Sequence, residues 1–169
     1  MKKIVLILSL IILGCQQKEQ KPSSPATNDF VQLQDLNGNS FTLENLIEQN
    51  KGKLVYVDFW ASWCVPCIQM MPHSKKLQEH YKNDNIEFIY VSVDRDGTAW
   101  ENAQNKHQLG KQSYLSMNYP KAKLYQLREV SNIPRYMLYD KNGNMIDDNA
   151  LRPNQPSLYQ IIDNLLKVE

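Results

Sequence analysis

Two of the chain's three cysteines, Cys64 and Cys67, close the stretch "DFWASWCVPC" (58–67). A pair so spaced can be a clamp, half of a metal site, or a reagent for thiol chemistry. Cysteine attacks as the thiolate, and an ordinary thiol pKa of about 8.5 leaves little thiolate at neutral pH. An apolar, strand-like run precedes Cys64 and a helix-like segment follows it, so Cys64 falls where a helix begins. Unsatisfied N–H groups and the positive end of the helix dipole favour an anion there. The attack is therefore assigned to Cys64, as the exposed first cysteine. Cys67, one turn later on the same side and deeper, would resolve a mixed disulfide on Cys64 by closing the ring. Pro66 stiffens the first helical turn, where its missing N–H costs nothing.

The elements that must hold this pair can be read from pattern. "FVQLQDL", "NGN" and "SFTL" predict a short hairpin, and 44–49 a helical turn that packs Leu43, Leu46 and Ile47. "KLVYVDFW" is a compact apolar run, the mark of a central buried strand. Residues 65–81 form a helix with Ile68, Met71 and Leu77 facing inward and Pro72 placed to kink it. "IEFIYVSVD" (86–94) is a second buried strand. A helix over 98–107 has Thr98 as its cap; an irregular section and a short helix at 121–128 follow. "RYMLYD", "KNGN" and "MIDDNAL" make a hairpin, and Leu158, Ile161, Ile162, Leu165 and Leu166 mark an amphipathic C-terminal helix. Strand–helix–strand order implies a parallel pair with a right-handed crossover. The expected class is α/β: a central mixed β-sheet flanked by helices, with an N-terminal β-hairpin and an insert before the last hairpin.

A length of 169 residues suits one domain, and 42% hydrophobic with 22% charged residues is ordinary for a globular protein. A net charge of +1 without a basic stripe gives no footprint for nucleic acid. The N-terminus is more specific. Met1-Lys2-Lys3 precedes an apolar run from Ile4 to Leu13, too short for the roughly 20 residues of a membrane span, and reads as a secretory signal. "ILGC" (12–15) resembles the lipobox of bacterial lipoproteins, which are cut before the cysteine and acylated on it; the alternative is an ordinary signal peptide with a chance cysteine. The expected division is 1–14 signal peptide, 15–28 lipidated Cys15 and flexible linker, and 29–169 folded domain. "QQKEQKPSSPATN" is too polar to order itself and would hold the domain on the order of 20 Å from its anchor. With Cys15 lipidated, Cys64 and Cys67 are left to each other. The location expected is the extracytoplasmic side of the cell envelope, tethered to a membrane.

"VDFWASWCVPC", with Pro72 five residues after the second cysteine, resembles the thioredoxin superfamily. The N-terminal hairpin, anchor signal and insert make it most similar to the membrane-anchored TlpA and ResA-like thiol-disulfide oxidoreductases. The resemblance spans about 30–168 and implies a thioredoxin fold with a redox-active Cys64–Cys67 disulfide. It also implies no other cofactor, no metal, protein disulfides or dithiols as substrates, and a membrane thiol carrier as electron donor, with the chain acting as reductant. It implies a cis-proline at Pro134 in "SNIPRY", laying the backbone of Ile133 beside Cys64 to pair with a substrate chain; the alternative is a trans proline at a strand entrance. Asp58 matches the buried carboxylate that relays protons for the second cysteine, with a pKa raised by burial. Its alternative is a strand-end carboxylate capped by nearby amides. Met70 stands where some ResA-like members carry a glutamate near the thiols, so no mechanism through that glutamate applies here.

Trp63 is expected exposed, an apolar rim for protein substrates; Met70, Met71 and Tyr136 lie nearby, and Trp60 packs beneath the turn. Arg135, next to Pro134, either helps hold Cys64 as thiolate or makes a surface ion pair. Three rival readings meet objections in the residues themselves. A zinc site from Cys64, Cys67 and two of His73, His80 and His107 lacks the second half of a Cys/His motif, and Pro66 obstructs it. A peroxidase of this superfamily would carry threonine where Ala61 stands. A non-catalytic adaptor would keep the disulfide as a clasp and show no Cys64-dependent turnover.

Overall fold

The computed structural model describes residues 28–167. The expected signal (1–14), Cys15 and the linker through residue 27 lie outside the described residues. Strands β1 (Gln32–Gln34) and β2 (Ser40–Thr42) form the N-terminal hairpin. Its turn is held by Asp35, whose carboxylate accepts the N–H groups of Asn37 and Asn39 at 2.9 and 2.8 Å and Asn39 Nδ2 at 2.9 Å. Asp140 repeats the device with Asn142 and Asn144 in the C-terminal hairpin. In both turns a glycine, Gly38 and Gly143, takes the positive φ (80° and 83°) that a residue with Cβ resists.

Helix α1 (Leu43–Gln49) follows, capped by Thr42 Oγ1, which accepts the Asn45 N–H at 3.1 Å. Strand β3 (Leu54–Trp60) is buried along its whole length. Helix α2 (Val65–His80) connects it to β4 (Ile86–Ser92), which pairs parallel with β3 from Leu54–Ile86 to Trp60–Ser92. Pro72 lies inside α2 and leaves the Ile68 carbonyl without its ladder donor. Helix α3 (Gly97–His107) is capped by Asp96, not by the expected Thr98: the Asp96 carboxylate accepts the N–H groups of Thr98 and Ala99 at 2.9 and 3.4 Å. A carboxylate two residues earlier outcompetes the threonine because it reaches two orphan donors and carries the charge a helix start favours.

The irregular section contains a strand, β5 (Ser113–Ser116), buried at all four positions. It pairs parallel with β4 and antiparallel with β1, and so joins the N-terminal hairpin to the central sheet. After the short α4 (Lys123–Leu127) come β6 (Arg135–Tyr139), antiparallel to β3, its partner β7 (Met145–Asp147), and α5 (Pro156–Lys167). One mixed seven-stranded sheet results, in the order β2-β1-β5-β4-β3-β6-β7. Alternate residues of β3 feed two cores: Val55, Val57 and Phe59 on the face of α1 and α4, Tyr56 and Trp60 on the face of α2 and α5. The period of two places Asp58 on the α2 face. Among the described residues no helix is long and apolar enough to cross a membrane.

Candidate active site

β3 ends at Trp60, the chain turns through Ala61–Trp63, and Cys64 is the N-cap of α2. Several hydrogen bonds fix that turn. The Cys64 N–H donates to the Ala61 carbonyl at 3.1 Å, and the Val93 N–H to the Trp60 carbonyl at 2.8 Å. Asp94, 5% exposed, grips the turn by both carboxylate oxygens: Ser62 donates its N–H at 2.9 Å and its hydroxyl at 2.7 Å. Ser92 Oγ donates to the same carboxylate at 2.6 Å and accepts the Asp94 N–H. The end of β4 thus clamps the turn that presents Cys64.

Cys64 Sγ accepts the Cys67 N–H at 3.3 Å and is bonded to Cys67 Sγ at 2.05 Å, the Cα atoms 5.2 Å apart. One orphan donor of the helix start is therefore directed at the sulfur, and no acidic side chain in the first turn weakens the positive potential there. Cys64 is only 4% exposed, which corrects the expectation of an exposed thiol. Capping the helix and closing the ring both turn its side chain inward. Cys67 is the deeper of the two at 1%. The exposed groups are the neighbours, Trp63 and Val65, each about two-thirds accessible, while Trp60, Met71 and Tyr136 are core and Met70 is half-buried.

The Ile133–Pro134 peptide is cis, as is Tyr119–Pro120. Arg135 pairs with Phe59 across the β3–β6 ladder, so Ile133 and Pro134 lie just beyond its last rung, at the end where β3 runs into the Cys64 turn. Both are half-buried. Among the described residues Arg135 forms no ion pair with a carboxylate: its guanidinium donates to the carbonyls of Asp148 and Glu129 at 3.1 and 3.2 Å and joins these loops.

Asp58 sits mid-strand, between Tyr90 of β4 and Tyr136 of β6 in register. It is fully enclosed, its Oδ1 meets no hydrogen-bond donor, and burial raises its pKa from 3.8 to about 8. This is no strand-end carboxylate capped by amides. Ser74 of α2, itself buried and outside hydrogen-bond geometry, is near enough to favour the charged form slightly. The Tyr136 hydroxyl and Trp60 Nε1 are likewise buried without partners. A polar seam thus runs through the core beneath the disulfide. Ser74 does not stand out in the sequence, although Cys67, Met71, Ser74 and Leu77 fall on one helical face; nor does Asp94, which closes the strand run "IEFIYVSVD". Among the described residues no group of three or more His, Cys, Asp and Glu could hold a metal ion.

Residues 52–145 match a family model described as thioredoxin-like. The chain is 30% identical over 135 residues to the thiol-disulfide oxidoreductase ResA of Bacillus thuringiensis, covering 77% of this chain and 70% of that one. It is 27% identical over 140 residues to ResA of Bacillus subtilis, covering 83% and 72%. Among solved structures it resembles a protein from Bacteroides vulgatus assigned as a thiol-disulfide oxidoreductase, with 32% identity, a TM-score of 0.70, and coverage of 80% of this chain and 91% of that one.

Proposed function

The chain belongs to the thioredoxin-like family as a thiol-disulfide oxidoreductase related to ResA, and from that premise we propose that it reduces protein disulfides in the cell envelope. The observation that carries the reading is the Cys64–Cys67 disulfide at the start of α2, with a helix-start N–H directed at Cys64 Sγ. In the reduced enzyme, Cys64 is the thiolate. It attacks one sulfur of a substrate disulfide; the new S–S bond is the mixed disulfide, and the other substrate sulfur leaves as thiolate and takes a proton. Cys67 then loses its proton to the Asp58 carboxylate and attacks Cys64 Sγ, expelling the second substrate thiol. Two electrons pass to the substrate, and the enzyme is left with the disulfide seen here.

The return half-reaction uses Asp58 in the opposite sense. With a pKa near 8 in the disulfide state, Asp58 is mostly protonated at neutral pH. When an electron donor opens the ring, Cys67 leaves as a thiolate and takes that proton. The residues need no cofactor beyond the sulfur pair. The backbone at Ile133, beside the cis Pro134, supplies pairing groups for the substrate chain, and Trp63 an apolar rim. The signal and Cys15 support a lipid tether on the extracytoplasmic side, with a membrane thiol carrier as donor, because an oxidising compartment does not itself supply electrons. The test is insulin reduction coupled to dithiothreitol. Wild-type turnover, abolished in Cys64→Ser, is expected; turnover that survives in Cys64→Ser overturns the reading. A potential below about −200 mV supports the reductant direction, and one near −120 mV contradicts it.

A further inference from the structure

We propose that the end of the sheet carrying Phe30, Met117, Lys121 and Lys123 rests on the lipid surface to which the tether leads, so that the disulfide opens toward the bilayer. The proposal rests on the tether at Cys15 given above and adds the orientation in which it holds the domain. Strand direction brings tether and disulfide to one end. β3 runs into the Cys64 turn, β4 is parallel to β3, β5 is parallel to β4, and β1 is antiparallel to β5. The chain therefore enters β1 at the same end of the sheet at which it leaves β3 for Cys64. Hydrogen bonds fix the entry segment there. The Met117 N–H donates to the Gln32 carbonyl at 2.8 Å, Asn118 Nδ2 to the Phe30 carbonyl at 2.9 Å, and the Lys123 N–H to the Asn28 carbonyl at 2.6 Å.

Length and surface chemistry then decide which end meets the lipid. The stretch from Gln16 to Asn28 reaches roughly 20 Å as a coil, whereas β3, seven residues long, spans about 23 Å. A domain turned over would need the tether to run back past the whole sheet; an upright one needs no such reach. Phe30 and Met117 are each about half exposed, on the adjacent segments just described. Lys121 and Lys123 are exposed beside them and have no carboxylate partner among the described residues. Asp29 is outnumbered by these lysines, and Lys18 and Lys21 outnumber Glu19 between Cys15 and the domain. Apolar side chains flanked by lysines fit the boundary between anionic headgroups and acyl chains. β5 and β4 separate β1 from β3, a distance of roughly 14 Å. Lipid contact at Phe30 therefore leaves Cys64 uncovered, facing partners held in the membrane.

The test takes the chain from Cys15 onward, with Cys64 and Cys67 oxidised, and couples its free Cys15 to a maleimide lipid. That lipid sits in nanodiscs of phosphatidylcholine and phosphatidylglycerol with a trace of gadolinium-chelate headgroups. Relaxation of each backbone amide by the gadolinium reports its height above the bilayer. Residues 30–32, 117–123 and the 61–65 turn are expected to relax fastest. Gly52, Asn85 and Gly143, at the opposite end of the sheet, should relax slowest. Lys121→Glu with Lys123→Glu should weaken docking about fivefold per lysine and level the two ends; these are surface positions, so the variant folds. Leu36→Ser, at an exposed apolar residue of the far turn, should leave the gradient unchanged. Equal relaxation at both ends in wild type, or a reversed gradient, overturns the proposal. A gradient that the lysine variant keeps in full overturns it too, since the tether alone then accounts for it. The coupling is chemical, so the outcome depends neither on acylation of Cys15 in cells nor on disulfide exchange, and failure here leaves both of those readings standing.

Discussion

Asp58 is the residue on which proton traffic and stability meet. It is an acid sealed inside the protein with one oxygen unpartnered, and its pKa is raised to about 8. Between about pH 4 and 8 the folded protein therefore holds a proton that the unfolded chain has released. Stability falls as pH rises through that window and levels off above it. Asp58→Asn, which has no charge to suppress, should be more stable than wild type at pH 8, by on the order of a few kcal/mol, and close to it at pH 4. Urea unfolding at the two pH values checks this; a constant difference would mean that Asp58 is not buried neutral. The same variant should exchange disulfides more slowly, since Cys67 loses its base. Cys67→Ser should accumulate a mixed disulfide on Cys64, detectable by mass, because the resolving thiol is gone. Asp58 could be read as buried from its place in "LVYVDFW", yet the polar seam around it could not. Tyr90, Tyr136 and Ser74 come from three other elements; the pairing register brings the two tyrosines to one carboxylate, and the packing of α2 on the sheet brings Ser74.

At the scale of elements, the turn into α2 is shaped from outside as much as from within. Asp94→Ala would leave the Ser62 N–H without its acceptor and should cost about 1–3 kcal/mol. Ser62→Ala removes only the hydroxyl bond and should cost about 1 kcal/mol. Equal urea midpoints for wild type and Asp94→Ala would show that the clamp is idle. Elements with strong periodicity were legible: α2, α5 and the two hairpins stand where apolar spacing and the Asn-Gly turns put them. The first element to escape was β5. Four residues buried on both faces show no alternation, and what makes "SYLS" a strand is its long-range pairing with β1 and β4. The second was the cap of α3, where Asp96 and Thr98 are both plausible by type and only the competition for two N–H groups decides.

At the scale of the whole molecule, the sheet order is what assembles the site from three separate stretches: the Cys64 turn, the Ser92–Asp94 clamp and the Ile133–Pro134 peptide. The motif announced the sulfur chemistry, whereas the Asp94 clamp and the Ile133–Pro134 peptide reach it only through the order of the strands. The tether belongs to this scale too. Cys15→Ser should move the protein from the membrane fraction to the soluble extracytoplasmic fraction without changing insulin reduction by the purified domain; retention of Cys15→Ser on membranes would remove the lipid from the account. The central claim is that the start of α2 makes Cys64 a better anion than an ordinary thiol. The most direct measurement is the pH dependence of Cys64 alkylation in the Cys67→Ser protein. A midpoint below about 7.5 is predicted, and a midpoint at or above about 8.5, that of a free cysteine, would contradict it.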